Sequence, residues 1–244
     1  TDLVDRDNWT GTMQEAVFAG QTIFYKGGTK DNIYLGGPNI KTAGTHPDGD
    51  IQYTDFVLTF KATVTWPQDA GDWGGMLTFR DSEPGLTTWE QNAENDRVAY
   101  GIKWDLDSQN SDNSTNGTIS IMRFNGAGGG VGIASRPNME INGKEITYKL
   151  ACVNGEDEKG EFVRIVLLAD GAAIADVKDY GVNNEITEGS PAGLELPNIT
   201  GAGGFMIMNH NTRTFHIKGW ETGEAVEELV VGGSTEDPGD THGG

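Results

Sequence analysis

At 244 residues the chain is long enough to bury a substantial core, and an aromatic content of 9% excludes an intrinsically disordered polypeptide. Acidic residues outnumber basic ones by 37 to 17, a formal net charge of -20. Such a surface repels phosphate backbones and anionic lipid, so nucleic acid and membrane are set aside as partners.

The 36 glycines suit many short strands joined by tight turns. Cys152 is the single cysteine, which excludes an internal disulfide and a cysteine-based zinc site; its apolar-leaning surroundings predict a buried, inert thiol. No apolar run approaches the length of a membrane span, and the chain opens on polar Thr1-Asp2 rather than on a signal peptide.

Strand signals punctuated by turn residues fall, in chain order, at 16–25, 56–66, 75–80, 98–105, 118–124, 146–153, 162–169, 172–178, 204–208 and 214–220. Asn154-Gly155 and Asp170-Gly171 are expected to supply hairpin turns, the second joining 162–169 to 172–178. Residues 221–230 read as a short turn of helix. In 56–64, Phe56, Leu58, Phe60, Ala62 and Val64 share one face while Val57, Thr59, Lys61 and Thr63 share the other, so this strand buries one side. Residues 1–231 form one domain on this reading. Residues 232–244 hold almost nothing to bury and read as a linker or disordered tail, the mark of a larger modular protein.

Four segments carry a family resemblance: Tyr53-Thr54-Asp55-Phe56, Gly74-Gly75-Met76-Leu77-Thr78-Phe79-Arg80, the strand from Val98 to Asp105, and Gly203-Gly204-Phe205 through Phe215-His216-Ile217. Together they resemble the concanavalin-like (laminin-G-like) jelly-roll superfamily, closest to bacterial carbohydrate-binding modules. The resemblance implies an all-β, two-sheet antiparallel jelly-roll sandwich with a curved sheet available to glycans. The superfamily includes lectins, adhesion domains and glycosidases, so the site must decide the function.

Sugars are held by aromatic planes and by polar groups that bond their hydroxyls. Alternation with Leu77 and Phe79 inward predicts that Met76, Thr78 and Arg80 point outward, joined by Lys103 and Asp105 of the next strand. Trp73 and Trp89, in polar loops beside these strands, are candidate stacking platforms. Asn209, His210 and Arg213, near the turn between the last two strands, are further ligand-contact candidates. Asp105, Asp107, Asn110 and Asp112 crowd oxygen donors after a strand, in a spacing that faintly resembles the metal loop of legume-type lectins; they are candidate ligands for a structural calcium, with a plain solvated loop or a calcium near Asp48, Asp50 or Asp55 as the alternatives. The carboxylate spacing of concanavalin-like glucanases is absent. So is the polar signature of keto-disaccharide hydrolases, which would fall at Tyr100-Gly101-Ile102-Lys103.

The expectation is therefore a non-catalytic carbohydrate-binding module of a secreted or cell-surface protein, with a polysaccharide as partner. An adhesion or spacer domain and a glycoside hydrolase with an atypical carboxylate pair are the alternatives.

Overall fold

A strand that alternates apolar and polar residues buries its apolar face only if a second layer covers it. The computed structural model of the chain supplies that layer. It describes residues 24–25, 32–35, 42–45, 53–67, 71–83, 96–106, 116–125, 129–181, 197–210 and 213–223. In chain order the strands are β1 (Phe24–Tyr25), β2 (Asn32–Leu35), β3 (Thr42–Thr45), β4 (Phe56–Thr65), β5 (Asp72–Asp81), β6 (Val98–Leu106) and β7 (Asn116–Asn125). There follow β8 (Gly129–Glu140), β9 (Ile146–Asp157), β10 (Gly160–Ala169), β11 (Ala172–Asp179), β12 (Gly204–Asn209) and β13 (Thr214–Gly223). No helix occurs among the described residues.

The strands form a seven-stranded sheet, β1-β2-β13-β4-β9-β10-β11, and a six-stranded sheet, β3-β12-β5-β6-β7-β8. Every ladder between named strands is antiparallel. β12 and β13, neighbours in sequence, lie in different sheets, and so do β4 and β5. These crossings make the sandwich a jelly roll, and its second sheet is the layer that the alternation in β4 called for.

The core between the sheets is aromatic-rich. Phe56, Leu58, Phe60, Ala62 and Val64 of β4 all enter it, as their alternation predicts. Phe56 meets Phe205 edge-on at 5.2 Å, and Phe60 stacks on Tyr148 at 5.3 Å, both favourable ring geometries. Trp104 Nε1 donates to the Tyr148 hydroxyl at 3.0 Å, so the two buried polar tips satisfy each other. Cys152 is fully buried, and burial pushes its thiol up to about 12, in keeping with an inert side chain.

One end of the sandwich is polar between its sheets. Arg80 has a positive φ of 46°, which turns its side chain out of the strand's alternation. Its guanidinium donates to the Thr54 and Ile199 carbonyls, to Asn154 Oδ1 and to Asp55. Beside it the Tyr100 hydroxyl donates to Asp179 at 2.6 Å and accepts from the Ile199 amide at 3.0 Å, while Arg123 pairs with the same carboxylate. Burial, then the adjacent Asp179 charge, pushes the Tyr100 phenol far above its ordinary range.

Several sequence expectations are corrected. Asp170-Gly171 does turn the β10–β11 hairpin, with φ values of 48° and 84°. Asn154-Gly155 does not turn; both residues continue β9, opposite Val163 and Phe162. Gly155 is required because Phe162 lies across its Cα: an added Cβ would sit 2.4 Å from the ring. Glu221 to Gly223 end β13 as strand rather than opening a helix; residues 224–230 lie outside the described residues, as do the 232–244 tail and Asp107, Asn110 and Asp112. β2, β3 and β8 were not anticipated. β8 tolerates Pro137 because it is the edge strand of its sheet.

Candidate functional site

The outward face of the six-stranded sheet changes character along its strands. At one end Asp81 and Arg97 form a two-pronged ion pair, with Arg97 Nε to Oδ1 at 3.0 Å and Nη2 to Oδ2 at 2.7 Å, and neither side chain is exposed. Thr78 Oγ1 donates to the same carboxylate at 2.8 Å. Arg97 Nη2 also reaches the Met206 sulfur at 3.5 Å.

The middle is a band of thioethers. Pairing places Met208, Met76, Lys103 and Ser120 in one row, and Met206, Thr78, Gly101 and Met122 in the next. Met76, Met206 and Met208 pack with Phe124, and Trp73 and Met122 lie against them. Gly101 belongs there because Phe124 covers it: an added Cβ would approach the ring to 2.9 Å.

The far end is open. Trp73 pairs with Asp105, and Asp105 with Thr118. The Trp73 indole and the His210 imidazole stack at 4.8 Å with 14° between their planes. His210 Nε2 stands 3.9 Å from Asp72. Lys103 Nζ lies 3.4 Å from Asp105 Oδ2, with the two side chains 27% and 31% exposed. A half-buried two-ring shelf thus adjoins an accessible ammonium and carboxylate, the combination that binds a polyol by C–H contacts and hydrogen bonds.

The expected residues therefore divide. Trp73, Lys103, Asp105 and His210 come together on one face. Thr78 does not face solvent: it lies on the outward face but is completely buried, because β5 is covered on both sides. Arg80 is also completely buried, and its left-handed backbone sends it into the polar end of the core instead of onto the sheet. Met76 is likewise buried. Asn209 anchors the turn, its amide donating to the His210 and Arg213 carbonyls at 3.0 and 2.8 Å. Arg213 ties that turn to the Gly71 carbonyl through Nη2. Trp89, Asp107, Asn110 and Asp112 lie outside the described residues. Among the described residues no group of three or more His, Cys, Asp or Glu side chains is placed to hold a metal. No described helix is long and apolar enough to cross a membrane.

Sequence reasoning passed over the Asp81–Arg97 pair. Its signal is only an acid ending one strand and a base preceding the next, which register alone brings together.

The crossed topology, the paired antiparallel sheets and the core between them define a jelly-roll sandwich of the concanavalin-like type. Among solved structures the chain is similar to a Bacillus subtilis protein of unknown function with a galectin-like fold, at 11% identity and a TM-score of 0.57, over 84% of this chain and 86% of that one. It is also similar to the carbohydrate recognition domain of Emp46p in its metal-free form, at 9% identity and a TM-score of 0.54, over 90% and 89% of the two chains. The potassium-bound form of that domain gives 12% identity and a TM-score of 0.52, over 92% and 94%. No protein-family model and no curated protein matches the chain.

Proposed function

We propose that the protein is a non-catalytic glycan-binding module of a secreted or cell-surface modular protein, and that it takes a polysaccharide on the outward face of its six-stranded sheet. The observation that carries this reading is the Trp73–His210 stack beside the accessible Lys103–Asp105 pair. A pyranose ring laid on the outer ring of this stack offers its axial C–H groups to the aromatic surface while its hydroxyls reach the ammonium and carboxylate. The thioether band beneath gives the shelf an apolar support that adapts to its neighbours. Emp46p's domain, a carbohydrate recognition domain by name, supports the reading at the level of fold.

The test is a binding screen of the full chain against soluble neutral and acidic polysaccharides, with calcium and again with a chelator. Saturable binding to one glycan class, lost in folded Trp73→Ala and weakened in His210→Ala, is the expected result. Loss on chelation would add calcium at the Asp105 loop. A folded protein silent across the panel would refute glycan binding and favour an adhesion or spacer role. Release of reducing ends would favour a hydrolase.

A further inference from the structure

The opposite face of the molecule, the outward side of the seven-stranded sheet, carries a charge arrangement at odds with the chain's composition. Register sets Lys61 of β4 directly opposite Lys218 of β13, with His216 opposite Thr63 one row along. On the other side of β4, Lys149 of β9 pairs with Thr59, diagonal to Lys61. Strands in a sheet lie about 4.8 Å apart, so the Lys61 and Lys218 ammonium groups share one neighbourhood. Like charges directly opposite in an antiparallel pair destabilise it.

The bordering carboxylates are Glu145, Glu221 and Asp170, the last held by the Thr147 amide, which donates to its Oδ1 at 2.9 Å. Glu145 pairs with Lys218. Lys61 and Lys149 have no ion-pair partner among the described residues. In a chain with 37 acidic and 17 basic residues, a lysine would ordinarily find a carboxylate; here Glu145 is already engaged by Lys218, and neither Lys61 nor Lys149 forms an ion pair with a described residue. Lys61 is exposed, and the Lys218 side chain is 39% exposed, so an anion reaches both. Thr59, Thr63 and Thr147 are half-buried between the lysines and place hydroxyls among the charges.

We propose that this face, centred on Lys61, Lys149 and Lys218, is a second binding surface, for sugars that carry a carboxylate or sulfate group. An anion between the opposed ammonium groups removes their repulsion and accepts charge-assisted hydrogen bonds, while the threonine hydroxyls meet the sugar's own. Sparse charge on a polyol is the matching chemistry. A dense polyphosphate is repelled at long range by the net charge of -20. This surface lies on the other sheet from the Trp73 shelf, so either can fail without the other.

The experiment titrates the full chain with a sparsely charged, largely methyl-esterified pectin against its fully esterified form, and with a lightly sulfated dextran against dextran, in wild type, Trp73→Ala and Lys61→Gln. Binding of an anionic probe over its uncharged counterpart is expected in wild type and Trp73→Ala, weakening as salt rises. Lys61→Gln should lose about tenfold in affinity, the loss of one hydrogen bond to a charged group. The probe that binds identifies carboxylate or sulfate as the recognised anion. Because Lys61 opposes Lys218, Lys61→Gln should melt at or above the wild-type temperature. The proposal is overturned if wild type binds no anionic probe, if charged and uncharged forms bind alike, if Lys61→Gln binds as wild type or melts lower, or if oligothymidylate binds as tightly as the sugars.

Discussion

Two ion pairs in this protein share nearly the same geometry and differ in burial, which isolates the effect of desolvation. Arg97 grips Asp81 at 3.0 and 2.7 Å, with 0% of either side chain exposed. Arg164 grips Asp176 at 3.0 and 2.8 Å, with 15% and 33% exposed. Changing Asp81 to Asn keeps the shape but takes away the carboxylate charge that Arg97 faces out of contact with water, which costs about 3–5 kcal/mol. Asp176→Asn leaves an Arg164 that water still reaches, and costs at most about 1 kcal/mol. For a chain of this size the first corresponds to a fall of roughly 6–20 °C in melting temperature and the second to at most about 4 °C. Urea unfolding of both variants, with the slope of the transition checked against wild type, measures the difference. The double variant Asp81→Asn/Arg97→Met removes the guanidinium charge as well and places a thioether where the guanidinium already touches the Met206 sulfur. It should recover part of the loss. Equal losses in the two single variants, or a double variant less stable than Asp81→Asn, would refute the desolvation argument.

Two further outcomes follow from buried and paired side chains. Cys152, fully buried with its thiol pushed up to about 12, should resist a thiol-reactive dye in the folded protein and react only as fast as the sandwich opens; rapid labelling would show that the β4–β9 region breathes. Tyr180 donates its hydroxyl to Asp157, which pushes the phenol up to about 12 and holds the carboxyl below its ordinary range. The raised phenol contributes stability that is fully present below its ordinary value of 10.0 and is lost as pH rises through about 12; the lowered carboxyl contributes stability above its ordinary value that is lost as acid protonates it. Carbon-detected NMR titration should show Asp157 moving up towards its ordinary value in Tyr180→Phe, and an unchanged Asp157 would dismiss the link.

The sheets were legible where one face of a strand is buried and the other is not. β4 is the clear case: its inward residues are all buried and its outward ones are half-buried or exposed. The same rule failed in β5, where every residue from Gly74 to Asp81 is buried. Period-two alternation tells the two faces apart but does not say that the outer one is wet, and a strand covered on both sides loses the polar half of the signal. The Asn154-Gly155 error has a different source. That dipeptide signals a turn through the backbone freedom of glycine, yet here the glycine is needed for the space it leaves to Phe162. Lacking the partner strand, a sequence cannot separate those two uses. β8 escaped notice because its glycines and Pro137 argue against a central strand, and only its position at the sheet edge makes them tolerable.

The candidate site was legible by the same measure. Lys103 and Asp105 were expected on one face because they flank core-bound Trp104, and they pair there. Arg80 was misplaced because one left-handed residue, Arg80 itself at φ 46°, breaks the alternation that assigned it outward. That break has a consequence for the site. By turning Arg80 into the core end, it lets Asp81, rather than Arg80, share the outward face with Thr78, where Asp81 accepts both Thr78 and Arg97. Gly203 packs against this bend so closely that an added Cβ would lie 2.3 Å from the Arg80 carbonyl carbon. The bend at Arg80 thus supplies both polar assemblies at this end of β5: the guanidinium that closes the core, and the carboxylate that anchors the buried end of the outward face.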